Sequence, residues 1–457
     1  MISKYFLWTS VLIVNILLFS SCLGSSDNIE YPTDPQIYSL SLSSRADTAS
    51  LLPGVAFTID QVNGKIFNKK PLPYKFHVDS VKLSITSNPN NYYTFAAVEI
   101  GLFKPDSDKD SMYYWRESDS IAIPRLRKIK TTAADGKTQK EYDFQLNIHQ
   151  ADPYIISWQK IEGNYIAGAV ESQKTVAFDN KFFTYYRSGG EIKAVYVPIS
   201  EATNKEKWVS INNIPNTLTL SSLIATENTL YAMDATTGNV YRSSNGSSWE
   251  ITPTQTDYEV VALYGELPFT TPGNILVVVN HQGELKFGQA NTDFSNITPM
   301  NRIPDNLPVK DFSAIKVESG ISYATKFIFL SGGTTNNNIQ NNDIWVLQQD
   351  NGIIKHIVSN RPEDGTIKGS SLFFYDNQPY LVSSSSGKNI LMYSENWGLH
   401  WIKSGENQSF PSNFTVRTNA SVITDTNHYI WIFGGISSTN TQIVDIWRGR
   451  LNKFILN

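Results

Sequence analysis

The chain has 457 residues, a formal net charge of −4, 18% charged residues and 12% aromatics. That is too much chain for one core and enough for two or three domains. Its one basic cluster is Arg125-Leu126-Arg127-Lys128, which is too short for the electrostatic footprint of a nucleic-acid partner. After residue 22 no apolar segment is long enough to cross a bilayer.

Lys4 is followed by an almost wholly apolar run from Tyr5 to Phe19, and then by Ser20-Ser21-Cys22. A basic start, a short apolar segment and small residues before a cut site are the parts of a signal peptide. The pattern resembles the bacterial lipoprotein signal, in which cleavage falls just before a cysteine whose thiol is then lipidated. Phe19 departs from that pattern, standing where leucine is usual. The resemblance implies a signal peptide over residues 1–21, lipid attachment at Cys22 and a polar tether over residues 22–34. Cys22 is the only cysteine of the chain, so it has no partner for a disulfide or a thiolate metal site. A plain secretory signal with a chance cysteine is one alternative. A retained anchor is another, although 15 apolar residues fall short of the roughly 20 that a span needs. The expected address is that of an outer-membrane lipoprotein, on the periplasmic side or the cell surface, held to the membrane by its N-terminal lipid.

Residues 37–42, 55–59, 81–85 and 142–148 alternate apolar and polar side chains, with Pro, Gly and Asn clusters between them. This predicts an antiparallel sandwich of immunoglobulin-like size over residues 35–150. The acidic segment 106–110 reads as a solvated hairpin that only faintly resembles a calcium loop.

The rest of the chain carries a repeat. Gly332-Gly333 follow a hydrophobic run, and Trp345 comes 12 residues after the second glycine; Gly434-Gly435 and Trp447 keep the same spacing. Such glycines permit backbone geometry closed to other residues. The unit resembles the Kelch repeat, which implies a propeller blade whose tryptophan packs between neighbouring blades. Asn396, Gly398 and Trp401 fit the Ser-x-Asp/Asn-x-Gly-x-x-Trp pattern and resemble an Asp box. Gly246 and Trp249 belong to a looser copy. In that motif the amide bonds the backbone of its own turn, so its work is architectural.

Trp249 and Trp401 are 152 residues apart, and the two Kelch-like units 102, which gives a period of about 51 residues, the size of a blade. The expectation is an all-β chain in which residues 151–457 form a Kelch- and Asp-box-like propeller of six blades, with seven possible. Third strands are placed at Tyr196, Tyr241, Phe287, Trp345, Tyr393 and Trp447. Trp158 has no third strand before it, so its strand is expected to join the last one and leave no free edge.

The order of signal, sandwich and propeller, with Phe57-Thr58-Ile59-Asp60, Ile66-Phe67-Asn68 and Leu72-Pro73-Tyr74 in the sandwich, resembles a group of uncharacterised lipoproteins of gut Bacteroidetes. That resemblance implies fold and address and no reaction. Arg302-Ile303-Pro304 is a tripeptide shared with sialidases, but it falls in mid-propeller, where that family has it before the first Asp box. The six histidines show no metal-ligand spacing, and there is no Gly-x-Ser-x-Gly and no phosphate loop. No catalytic residue, metal or cofactor is expected. The sequence points to a lipid-anchored cell-envelope binding or scaffold protein with a carbohydrate or protein ligand. The alternative is a carbohydrate-active propeller enzyme, a glycoside hydrolase or lyase, which clustered acids and arginines in the central funnel would favour.

Overall fold

The structure is a computed structural model that describes residues 30–455, apart from residues 91–92, 106–109, 162, 164, 167, 254–256, 268–272, 319–325 and 361. Cys22, the signal peptide, most of the tether and most of the acidic hairpin lie outside the described residues. Two compact units divide between Asp152 and Pro153. Regular structure among the described residues is β-strand, with single turns of 3-10 helix and no α-helix.

In the N-terminal unit, Ser39–Ser43, Val81–Thr86 and Ser120–Ile121 form one sheet. A second sheet has the order Phe57–Asp60, Lys65–Asn68, Gln139–Gln145, Leu126–Thr132, Ala97–Leu102 and Ser111–Tyr114. Alternation sends Leu40, Leu42, Val81 and Leu83 from the first sheet into one buried cluster with Ile66, Ile129, Tyr142 and Phe144 from the second. The expectation of a purely antiparallel order fails at one place: Lys65–Asn68 runs parallel to Gln139–Gln145. Asn68 extends that pairing beyond the ladder. Its buried amide donates to the carbonyls of Lys70 at 2.8 Å and Asn147 at 2.9 Å, and accepts the Asn147 N–H at 2.6 Å. A buried amide needs such partners, which gives the Ile66-Phe67-Asn68 segment a physical reason.

The C-terminal unit contains six four-stranded sheets, all antiparallel, numbered here I to VI. Sheet I is Ser172–Phe178, Lys181–Ser188, Glu191–Pro198 and Val209–Ile211; sheet II is Ile224–Ala225, Leu230–Met233, Val240–Ser243 and Glu250–Ile251. Sheet III is Glu259–Glu266, Ile275–His281, Glu284–Ala290 and Ile297–Arg302; sheet IV is Lys310–Glu318, Lys326–Thr334, Ile344–Asp350 and Ile353–Val358. Sheet V is Thr366–Tyr375, Gln378–Ser385, Lys388–Tyr393 and Ile402–Lys403. In sheet VI, Ser421–Thr424, Ile430–Phe433 and Ile446–Leu451 are followed outward by Ile156–Ile161, the first strand of the unit in sequence. Trp158 pairs with Gly449 and Lys160 with Trp447, the pairing expected from the lone tryptophan. Each of the six residues placed on third strands lies in the third strand of its sheet.

First strands of successive sheets lie side by side from I to VI, and that of sheet VI lies against that of sheet I. This is the radial order of a propeller domain. Hydroxyls join the first strands: Ser421 Oγ accepts the Thr175 N–H at 2.9 Å, Ser313 Oγ accepts the Leu372 N–H at 2.9 Å, and Ser371 Oγ donates to the Ala420 carbonyl at 2.7 Å. Between sheets the cores are apolar. Trp345 packs with Phe287, Leu276 and Val278 of sheet III, and Trp447 with Phe373, Tyr380 and Leu391 of sheet V.

Candidate functional site

The glycines and tryptophans singled out by the repeat hold turns and pack the sheets. Gly332 and Gly333 take φ of +69° and +76°, and Gly434 and Gly435 take +58° and +108°, values that strain any residue with a Cβ. A Cβ on Gly332 would lie 3.1 Å from the Ile367 carbonyl of sheet V. One on Gly434 would strike the Gln173 amide of sheet I, so each Gly-Gly corner fits under the next sheet in the ring. Trp345 and Trp447 are 1% and 2% exposed, and their indole N–H groups donate to Asn341 Oδ1 and Asp445 Oδ2, both at 3.1 Å.

The Asp-box residues hold turns. Asn396 Oδ1 accepts the His400 N–H at 2.9 Å, and Ser394 Oγ accepts the Gly398 N–H at 2.8 Å. Gly398 and Gly246 have φ of +84° and +73°. Trp401 is 3% exposed and donates to Ser359 Oγ at 3.0 Å, while Trp249 sits edge-on to Tyr185. None of these eleven residues lines the cavities along the ring's axis.

Those cavities are built by the first strands. One of about 530 Å³ and one of about 310 Å³ share Lys174, Ser221, Phe312, Ser313 and Ala420, so they adjoin at Lys174. At the end where the first strands finish, Lys316 Nζ lies 3.0 Å from Glu266 Oε2 and 3.2 Å from Glu318 Oε1. Burial alone would lower the Lys316 pKa, but the hydrogen bond and charge of Glu266 raise it. Of the charges there, Lys316, Glu266 and Glu318 satisfy one another.

At the other end they do not. Lys174, from the first strand of sheet I, and Asp311, from that of sheet IV, line the same 310 Å³ cavity. Among the described residues neither makes a hydrogen bond or an ion pair, and the same holds for the side chains of Ser172, Ser221, Asn419 and Gln442 around them. Burial pushes the Lys174 ammonium below the ordinary lysine value, with the charge of Asp311 partly opposing. Asp311 is turned out of its ladder, with φ +53°, while Lys310 and Phe312 on either side pair with Thr334 and Gly332. The missing Cβ of Gly333 leaves room for that kink, because a methyl group there would lie 2.9 Å from the Phe312 nitrogen.

No linear motif joins Lys174 to Asp311. The local signal available was a charged residue near the start of two first strands, Ser-Gln-Lys-Thr-Val and Lys-Asp-Phe-Ser, where the wall of the axis should be uncharged.

Among the described residues lining the three axial cavities there is no arginine. Arg302 sits on the outer strand of sheet III, paired with Asp305 at 2.8 Å. Tyr264, the one tyrosine among the described residues on these walls, donates to the Pro308 carbonyl at 2.7 Å, and burial pushes its pKa up, the reverse of a nucleophile. In the third cavity, of about 710 Å³, burial would raise the Asp234 carboxyl. Hydrogen bonds from Thr236 N–H at 2.7 Å, Thr236 Oγ1 at 2.6 Å and Thr217 Oγ1 at 3.0 Å instead hold it well below the usual range. The carboxyls that the fold visibly shifts, Asp60, Asp135, Asp234, Asp293 and Asp445, are all lowered. Among the described residues no group of three or more His, Cys, Asp or Glu is gathered as a metal would need.

Residues 152–457 match the DUF6242 beta propeller domain, and residues 34–146 match the N-terminal domain of DUF6242, a domain of unknown function. No curated protein matches the chain in sequence. Among solved structures, YjhT is 10% identical over 61% of this chain and 94% of its own, with a TM-score of 0.43. A protein of unknown function from Bacteroides thetaiotaomicron VPI-5482 is 11% identical over 84% and 98%, with a TM-score of 0.41. A Trypanosoma rangeli sialidase in complex with sialic acid is 10% identical over 64% and 55%, with a TM-score of 0.38.

Proposed function

We propose, from the premise that this chain belongs to the DUF6242 family, that it is a lipid-anchored cell-envelope protein whose six-bladed propeller binds a carbohydrate without transforming it. The observation that carries this is the convergence of six polar side chains without partners on one axial cavity, formed by Lys174, Asp311, Ser172, Ser221, Asn419 and Gln442. Polar groups left free in a concave site are the ones a polar ligand can replace water on. Hydroxyl and amide groups with single opposite charges match a polyhydroxylated ligand better than the apolar anchors of a protein interface.

Six blades are supported by the side-by-side first strands and by the pairing of Ile156–Ile161 with Ile446–Leu451. An immunoglobulin-like sandwich over residues 35–150 is supported by two sheets around one core. The leader ending at Cys22 supports the lipid and an outer-membrane address, on the periplasmic side or the cell surface.

The test is a glycan and envelope-protein binding screen with the full-length chain in detergent, with products followed by mass spectrometry. Saturable glycan binding with no new product is expected; turnover of any glycan would replace this function with the enzymatic one. Incorporation of an alkyne-tagged fatty acid, abolished by Cys22→Ala, tests the anchor.

A further inference from the structure

We infer that the cavity between Lys174 and Asp311 takes a carboxylate-bearing sugar, with the carboxylate on Lys174 and the sugar hydroxyls on Asp311, Asn419 and Gln442. This rests on the binding function above and specifies its ligand.

Lys174 and Asp311 stand on sheets I and IV, which two further sheets separate in either direction around the ring. They line one cavity without forming an ion pair, so the space between them is bounded by a donor on one side and an acceptor on the other. A half-buried ammonium that makes no hydrogen bond carries a desolvation cost, which the charge of Asp311 offsets only in part. A carboxylate removes that cost with a charge-assisted hydrogen bond. Lys174 is the one cation among the described residues lining this cavity, and a neutral sugar would leave it without a hydrogen-bonded counter-charge.

The site also selects against more charge. A ligand with several adjacent anions, such as an acidic peptide or a polyphosphate, would bring one of them against Asp311. A single carboxylate surrounded by hydroxyls meets Lys174 with the first and Asp311 with the second. The amides of Asn419 and Gln442 both donate and accept, as hydroxyls require. Phe312, half-buried on the same wall, offers a ring to the C–H face of the sugar. The volume of about 310 Å³ lies at the small end of ligand sites, which suits one terminal or internal sugar unit rather than a long chain.

The test is calorimetric titration of the full-length chain in detergent with trigalacturonate, triglucuronate and sialyllactose, against galactotriose, cellotriose and lactose. At least one acidic ligand should bind about tenfold more tightly than its neutral counterpart. Lys174→Met and Lys174→Gln should each erase that preference, Lys174→Arg should keep it, and Asp311→Asn should weaken acidic and neutral ligands alike. Melting curves of Lys174→Met no lower than those of the parent protein would show that the variant folds. Equal binding of acidic and neutral sugars, or a preference that survives in both Lys174→Met and Lys174→Gln, would overturn the inference and leave the glycan-binding function standing. Displacement of the sugar by pentaglutamate at similar affinity would overturn it in favour of a peptide. Cleavage of any sugar, or failure of every sugar to bind, would overturn the function itself.

Discussion

Gly398 of sheet V lies so close against the Phe329 ring of sheet IV that a single added methyl group would run into the ring. Gly246 of sheet II has the same relation to Phe183 of sheet I. The Asp-box turn is therefore a contact between sheets as well as a local hairpin, and its glycine is required twice, by φ and by the ring. Gly398→Ala should cost about 2–3 kcal/mol. Gly387→Ala, at φ +75° with open space around it, should cost about 1 kcal/mol, the conformational part alone. Urea unfolding of the two variants measures the difference.

Arg417 is fully buried and ties together the corners and closing strand of sheet VI. Its guanidinium donates to both oxygens of Asp445, to the Gly434 carbonyl at 3.0 Å and to the Thr415 carbonyl at 2.9 Å. Lys160 on the closing strand lies 3.6 Å from the same carboxylate. Arg417→Met leaves the largely buried Asp445 carboxylate with Lys160 as its one nearby cation and should cost about 3–5 kcal/mol in the same assay.

The same pair sets an acid limit. Burial alone would raise the Asp445 carboxyl, but the hydrogen bonds and charge of Arg417 more than offset it, so its folded pKa is lowered. A lowered folded value gives stability that is full above the unfolded pKa and is lost as pH falls through the folded one. Unfolding free energy should therefore fall on acidification through and below the usual carboxylate range. Asp445→Asn should start less stable and lose less over that interval.

Lys174→Met should behave in the opposite way from a structural substitution. Removing a half-buried cation that makes no hydrogen bond relieves part of a desolvation cost, so thermal stability should rise, by up to about 1 kcal/mol. A fall in melting temperature would mean that the ammonium has a partner in the folded protein.

Binding of an acidic sugar should weaken on the alkaline side earlier than an ordinary lysine would allow. Burial lowers the Lys174 pKa, and the charge of Asp311 only partly restores it, so the ammonium is lost as pH rises through that lowered value. Lys174→Arg, whose guanidinium stays charged, should hold its affinity to higher pH. Titration calorimetry across the alkaline range reads both.

The propeller domain was legible because its signals are local. The spacing from Gly333 to Trp345 and from Gly435 to Trp447 is a property of one hairpin, and so is the bond from Asn396 to its own turn. The Trp158 strand was legible by elimination, since a fourth strand with no sheet of its own must join the last. The parallel pairing of Lys65–Asn68 with Gln139–Gln145 was not, because residues on a sheet alternate in the same way whichever direction the neighbour runs. Lys174 and Asp311 are 137 residues apart and belong to no motif. Only the ring brings them to one cavity, and what marks them is the lack of a partner, which the sequence does not carry.

Competitive acylation of the lysines, read by peptide mass spectrometry with and without a saturating uronate trisaccharide, tests the axial site most directly. Lys174 should be protected about tenfold. Lys316, already paired with Glu266 at the far end of the cavities, should react at an unchanged rate. Unchanged reactivity of Lys174 while the sugar is bound would place the ligand elsewhere and contradict the account.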